Sequence, residues 1–143
     1  GADVPACVES RTCIGRGTGT ELEAVESDLT GTAVLLVNPR IPLTTGPVFK
    51  AWDGKDRGAL PNGSVSQIAE ASRNDLEASA ISLCPEIADV LASLNGTDAF
   101  LSRMSGSGAT CFALYRTEES LREAAEKLPF DHPDWWQLSG KLR

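Results

Sequence analysis

The sequence predicts an α+β fold, a two-layer sandwich of ferredoxin-like type. Three observations lead there. Short apolar runs with strand periodicity are interleaved with stretches of helical periodicity. One pair of runs is joined by a tight Gly/Ser turn and reads as a hairpin. The helical stripes are one-sided, so the helices can cover a single face of a sheet. The expected order is strand, helix, helix pair, strand, strand, helix, strand.

Residues 1–25 hold GADVP, a small apolar patch and then Gly15-Arg16-Gly17-Thr18-Gly19-Thr20. The glycine spacing suits a hairpin or loop turn. It does not suit a dinucleotide loop, because the third glycine comes too early and no amphipathic helix follows. Ala33–Val37, AVLLV, has the length of a buried strand, and Asn38-Pro39 ends it because proline has no N–H for the ladder. Thr44 or Thr45 suits the cap of a helix with Pro47 in its first turn. Phe49 and Trp52 are three apart and share a face of that helix, either as core or as a stacking platform. Asp53 to Ser66 is rich in Gly, Asp, Lys and Asn and reads as a mobile surface loop.

Asn74-Asp75-Leu76-Glu77 opens a helix, with Asn74 as cap and acids in the first turn. Pro85 suits the first turn of the next helix. Ile87, Val90, Leu91 and Leu94 give it an apolar stripe, and Asn95-Gly96 stops it. Ala99 to Tyr115 is the hairpin. Phe112 and Leu114 point one way in its second strand, and Cys111, Ala113 and Tyr115 the other. Its turn, Ser105-Gly106-Ser107-Gly108, can take positive φ, and its N–H groups can form an anion-binding concavity. A plain hairpin tip that binds nothing is the other reading. Thr117 caps a last helix with Leu121, Ala124, Ala125 and Leu128 as its stripe and Pro129 at its end. Trp135-Trp136-Gln137-Leu138 reads as a final strand with its tryptophans on opposite sides, followed by a frayed tail, Gly140–Arg143.

The chain has 143 residues, 41% of them hydrophobic, enough for one domain or for one domain and a piece of another. Its 13 Lys+Arg against 20 Asp+Glu give a net charge of −7, which argues against general binding to nucleic acid or anionic membrane. A local phosphate site needs only a few oriented donors and is compatible with that balance. No run has the length of a transmembrane helix. GADVPACVES has neither the basic flank nor the apolar core of a signal peptide. Cys7, Cys13, Cys84 and Cys111 form no C-x-x-C pair, and His132 is the single histidine, so zinc ligation is not expected, and no residue is assigned to a metal. Reduced, mostly buried thiols and a cytoplasmic protein are expected.

Five segments then fall together. Gly1-Ala2-Asp3-Val4-Pro5, Asn38-Pro39, Pro42 with Thr45 and Phe49-Lys50, Asn74-Asp75-Leu76-Glu77, and Met104-Ser105-Gly106-Ser107-Gly108-Ala109-Thr110 stand in one order. In that order the chain resembles the C-terminal half of the 4-diphosphocytidyl-2-C-methyl-D-erythritol kinase family of the GHMP kinase superfamily. The resemblance covers nearly the whole chain. It implies a ferredoxin-like C-terminal kinase domain over residues 31–143 and a remnant of the N-terminal, ATP-binding domain over 1–30. It also implies ATP-dependent phosphorylation, in non-mevalonate isoprenoid biosynthesis, of the 2-hydroxyl of a cytidine-diphosphate-linked methylerythritol.

By the same resemblance Asp3 is the base toward the attacking hydroxyl, and Phe49 packs against the cytosine ring. Thr45 and Lys50 lie among the substrate contacts. Ser105, Gly106, Ser107 and Gly108 form the glycine-rich loop near phosphates and substrate. Asn74 to Glu77 read as structural, without a chemical role. ATP with its Mg²⁺ is the implied co-substrate, bound tightly only in the longer enzyme, with the metal's protein ligands largely elsewhere.

The family's glycine-rich phosphate loop and the lysine that pairs with the catalytic Asp do not occur in these residues. The chain is therefore expected to be a shortened form that lacks its N-terminal half, carries one wall of an interdomain site, does not turn over alone and self-associates through the exposed domain interface. Two other readings stay open on the residues themselves. One is a free-standing ferredoxin-like regulatory module for a small metabolite; the other is a structural dimerisation domain.

Overall fold

A computed structural model of the chain describes residues 4–17 and 21–143. It opens with a short helix, α1 (Val4–Glu9), and an antiparallel hairpin, β1 (Cys13–Arg16) and β2 (Glu21–Ala24), in which Cys13 pairs with Ala24 and Arg16 with Glu21. The hairpin agrees with the turn expected at residues 15–20, although Thr18–Thr20 lie outside the described residues. The main sheet follows: β3 (Ala33–Asn38), β4 (Leu101–Met104), β5 (Cys111–Tyr115) and β6 (Trp136–Lys141), antiparallel throughout in the order β4-β5-β3-β6. Each crossover skips one place that another strand fills. This split βαβ arrangement is the ferredoxin-like topology.

Helices α2 (Thr45–Ala51), α3 (Val65–Ala71), α4 (Glu77–Leu83) and α5 (Glu86–Asn95) lie between β3 and β4, and α6 (Glu118–Asp131) lies between β5 and β6. The period-two alternation sorts the strand residues. Ala33, Leu35 and Val37 of β3 join Cys111, Ala113 and Tyr115 of β5 in the larger core, under Val48, Ala80, Ile87, Val90, Leu94, Ala124 and Leu128. Leu35, Ile87 and Leu94 are fully buried, each worth about 1.5–3 kcal/mol of transfer free energy.

The opposite face is not bare. Val34, Leu36, Phe112 and Leu114 meet Val65 and Ala69 of α3 in a smaller core. The sequence predicts a loop through Ser66 and no element after it, whereas the structure has a helix over Val65–Ala71. A capping box starts α3: the Ser64 side chain accepts from the Gln67 N–H, and the Gln67 side chain accepts from the Ser64 N–H. Asp28 adds a second cap from far along the chain, accepting from the Ser66 N–H at 3.0 Å and from its hydroxyl. Arg103 of β4 donates to the Ala69 carbonyl at the helix's other end, 2.8 Å away.

Two boundaries differ from expectation. α6 runs past Pro129 to Asp131. Proline leaves the Ala125 carbonyl without its helical N–H partner, and the Gln137 side chain from β6 supplies one at 2.7 Å. Gly140–Arg143 is not a frayed tail. Gly140 and Lys141 belong to β6, and Leu142 exchanges hydrogen bonds with Gly31 and Thr32. The paired tryptophans do separate: Trp135 packs on the larger core, stacked on His132 at 3.6 Å, whereas Trp136 is exposed. Among the described residues no helix is long and apolar enough to cross a membrane.

Candidate active-site wall

The β4–β5 turn builds a tightly held loop. The Ser105 N–H bonds to the Thr110 carbonyl at 2.9 Å, and the Gly108 N–H to the Ser105 carbonyl at 3.0 Å. Gly106 and Gly108 both have positive φ, +55° and +86°, where a side chain is strained. Gly108 is glycine for a second reason. A Cβ there would come within 2.9 Å of Met104 Sδ, 3.2 Å of Ile87 Cδ1 and 3.3 Å of Leu43 Cδ2, whereas at Gly106 it would meet nothing within 4 Å.

Asn74 holds this loop. Its Nδ2 donates to the Met104 carbonyl at 3.0 Å and to the Gly106 carbonyl at 2.8 Å, while its Oδ1 accepts from the Leu76 N–H at 3.0 Å. It stands two residues before the N-cap of α4, which is Leu76, so it clamps the loop as well as starting the helix. Asn38 supports the loop's exit: its Nδ2 donates to Thr110 Oγ1 at 2.9 Å, and its Oδ1 accepts from the Arg40 N–H at 2.7 Å. Among the described residues the N–H groups of Gly106 and Ser107 find no acceptor. The carbonyls of Met104, Ser105 and Gly106 are thus taken up inside while two of the loop's donors stay free, an arrangement that favours an anion.

Helix α2 meets the loop at its first residue. Thr44 occupies the N-cap position without a side-chain cap bond, and the hydroxyl of Thr45 lies 3.0 Å from that of Ser107. Phe49 follows one helical turn later, on the side of Thr45, and is 55% exposed, while Val48 beside it is fully buried. Thr45, the glycine-rich loop and Phe49 therefore share one surface. Lys50 is exposed and about 140° around the helix from Thr45, so the structure does not gather it with them. Asp3 lies outside the described residues.

Asn74 and Asn38 are positioning residues that sequence reasoning passed over as helix cap and strand end. An Asn beside an unpaired turn is the one signal for such a clamp, and it does not name the partner.

Asp75, next to Asn74, sits in an ion-pair cluster. Arg57 bonds Asp53 at 2.6 Å and lies 4.0 Å from Asp75, which Arg73 holds at 2.8 Å. The Arg57 guanidinium keeps the Asp53 carboxyl below its ordinary range. Burial, with Glu77 and Cys84 nearby, pushes the Cys111 thiol up to about 12. Burial and then Glu86 raise the Cys84 thiol. Both are protonated at neutral pH and unsuited to nucleophilic work. Among the described residues no three His, Cys, Asp or Glu side chains converge as a metal site. Three clefts, of 770, 550 and 310 Å³, are lined by other residues.

Comparison with known proteins agrees with this geometry. A curated relative, "4-diphosphocytidyl-2-C-methyl-D-erythritol kinase" of Novosphingobium aromaticivorans, is 65% identical over all of this chain and 49% of its own length. Its namesake in Erythrobacter litoralis is 57% identical, over all of this chain and 54% of its own length. The chain thus spans about half the length of these curated relatives. A crystal structure of 4-(cytidine 5'-diphospho)-2C-methyl-D-erythritol kinase superposes with a TM-score of 0.78 at 28% identity, over 97% of this chain and 53% of that one. Homoserine kinase from Cytophaga hutchinsonii shares the fold, with a TM-score of 0.68 at 15% identity, over 98% of this chain and 50% of that one. The model of the family described as GHMP kinases C terminal matches residues 57–134, more than half of the chain. The split βαβ sheet, the clamped glycine-rich loop and these matches have one common explanation: the chain belongs to the GHMP kinases, as their C-terminal domain.

Proposed function

We propose that this chain is the substrate-side part of an ATP-dependent kinase acting on the 2-hydroxyl of 4-diphosphocytidyl-2-C-methyl-D-erythritol, in non-mevalonate isoprenoid biosynthesis. The observation that carries the reading is the contact of Thr45 with Ser107, 3.0 Å between hydroxyls. It sets the helix of the exposed Phe49 against a loop with free N–H donors. Phosphoryl transfer asks a protein mainly for positioning and charge stabilisation. The loop N–H groups would support phosphate oxygens without a net positive surface. Phe49 would offer its ring to the flat face of cytosine, and Thr45 would contact the substrate, with Lys50 outside this set. Asp3 would accept the proton of the attacking hydroxyl.

Mg²⁺ would arrive on ATP. Residues 1–30 would belong with the ATP-binding domain and 31–143 with the C-terminal domain. The main nucleotide cradle would lie in the half of the relatives that this chain does not span, so the chain alone would neither hold ATP tightly nor turn over, and would self-associate.

A coupled ATP-consumption assay tests this. The chain alone should show no turnover. The chain fused behind the N-terminal half of the Novosphingobium relative should phosphorylate the cytidine-diphosphate substrate, and Phe49→Ala in that fusion should raise KM about tenfold, the scale of one lost base-stacking contact. A folded fusion that consumes ATP with a different alcohol and not with this one would reject the substrate.

A further inference from the structure

β6 is one edge of the main sheet, and among the described residues no strand pairs with its outer side. Leu142, just beyond it, gives its N–H to the Thr32 carbonyl and takes the Gly31 N–H on its own. Antiparallel alternation therefore turns the backbone of Trp136, Leu138 and Gly140 toward β3 and leaves that of Gln137, Ser139 and Lys141 facing outward. Such an edge is a template for another strand unless charge, proline or a bulge blunts it, and β6 carries Lys141 alone of these.

The side chains add a second observation. Pairing of Asn38 with Trp136, Leu36 with Leu138 and Val34 with Gly140 places these three β6 residues on the face away from α6. Trp136 is 38% and Leu138 54% exposed. At Gly140 the fold of one chain does not call for glycine. It lacks the positive φ of the loop glycines, and a Cβ would find only Val34 Cγ1 within 4 Å, at an ordinary 3.9 Å. A glycine inside a strand weakens it and often marks the close approach of another group.

We propose that β6 pairs antiparallel with β6 of a second copy about a two-fold axis at Leu138, joining two four-stranded sheets into one. In this register the outward groups of Gln137 bond those of Ser139 in the second copy, and the reverse. Leu138 meets its own equivalent. Trp136 lies across from Gly140 of the second copy, in a pair without hydrogen bonds, where opposed side chains stand closest. The space that Gly140 leaves takes the indole.

Charge favours the same pairing. The chain enters β6 past Asp131 and Asp134 and leaves it through Lys141 and Arg143. Antiparallel self-pairing lays the acidic entry beside the basic exit, although the chain as a whole is negative. The proposal is independent of the kinase reading.

Sedimentation equilibrium from micromolar to near-millimolar chain tests it, with a monomer–dimer equilibrium expected. Gly140→Val fills the place of the incoming indole while the single chain has room for it. It should weaken association on the order of a hundredfold, as should Leu138→Lys, which sets like charges on the axis. Both should keep the melting temperature of the monomer. Leu60→Lys, at an exposed leucine elsewhere, should leave the dimer unchanged. A chain monomeric throughout, because only the other half of the longer relatives covers this face or nothing does, overturns the proposal. So does a dimer that both β6 variants leave intact.

Discussion

The Nδ2 of Asn74 lies 2.8 Å from the carbonyl oxygen of Gly106, thirty-two residues away, and the same nitrogen lies 3.0 Å from that of Met104. One amide thus fixes both the entry and the tip of the glycine-rich loop. Asn74→Ala leaves both carbonyls without this donor and should cost about 1–3 kcal/mol. Urea denaturation measures the loss. Amide exchange should locate it, with Ser105 to Gly108 opening well before the sheet. Loop protection unchanged from wild type would show that the clamp is not what orders the loop.

The two loop glycines should respond differently to alanine. At Gly106 the change meets open space and carries only the left-handed backbone cost, about 1–2 kcal/mol. At Gly108 it carries that cost and also drives a methyl against Met104, Ile87 and Leu43, adding about 1–3 kcal/mol of overpacking. Thermal or chemical unfolding of the pair checks the order. Equal losses would mean that the contacts under Gly108 yield freely.

Asp28 gives a pH test. The Ser66 hydroxyl and then its backbone N–H hold the Asp28 carboxyl below its ordinary 3.8. A depressed carboxylate contributes stability that is fully present above its unfolded pKa and is lost as pH falls through the folded one. Asp28→Asn should therefore loosen α3 at neutral pH, and the gap from wild type should close below pH 3.8. Amide exchange or circular dichroism across that range reads it. The group is exposed, so added salt should shrink the effect. A gap that persists at the acid end would assign the cap to something other than the carboxylate charge.

Thiol labelling separates the cysteines. Cys111 is buried with its thiol pushed up to about 12, and Cys84 is buried with its thiol raised, whereas Cys13 is partly exposed. A thiolate-directed reagent at mildly alkaline pH should modify Cys13 quickly and reach Cys84 and Cys111 only through opening of the core. Fast labelling of Cys111 in the native protein would contradict the packing of β5.

Most of the fold was legible along the chain because its signals are local. The alternation in Cys111–Tyr115, the stripe Ile87-Val90-Leu91-Leu94 and the Thr117 cap each depend on residues a few places apart, and each stands in the structure as read. Where reading failed, the partner was distant. Residues 65–71 are short and weakly periodic, and they become α3 through Asp28 and the second sheet face. Pro129 does not end α6 because Gln137 replaces the missing donor. The C-terminal residues are held because β3 lies beside them.

By itself the sequence determined most of the element types, the two faces of β5 and the loop glycines that could take positive φ, since these follow from period, propensity and the absence of a Cβ. The five segments in order also pointed to the family. Only the tertiary structure decided that the hydroxyls of Thr45 and Ser107 meet and that Asn74 takes the carbonyls of Met104 and Gly106. Those outcomes depend on which elements the sheet order brings together, and a hydrogen bond between residues thirty or sixty places apart leaves no trace in the periodicity of either.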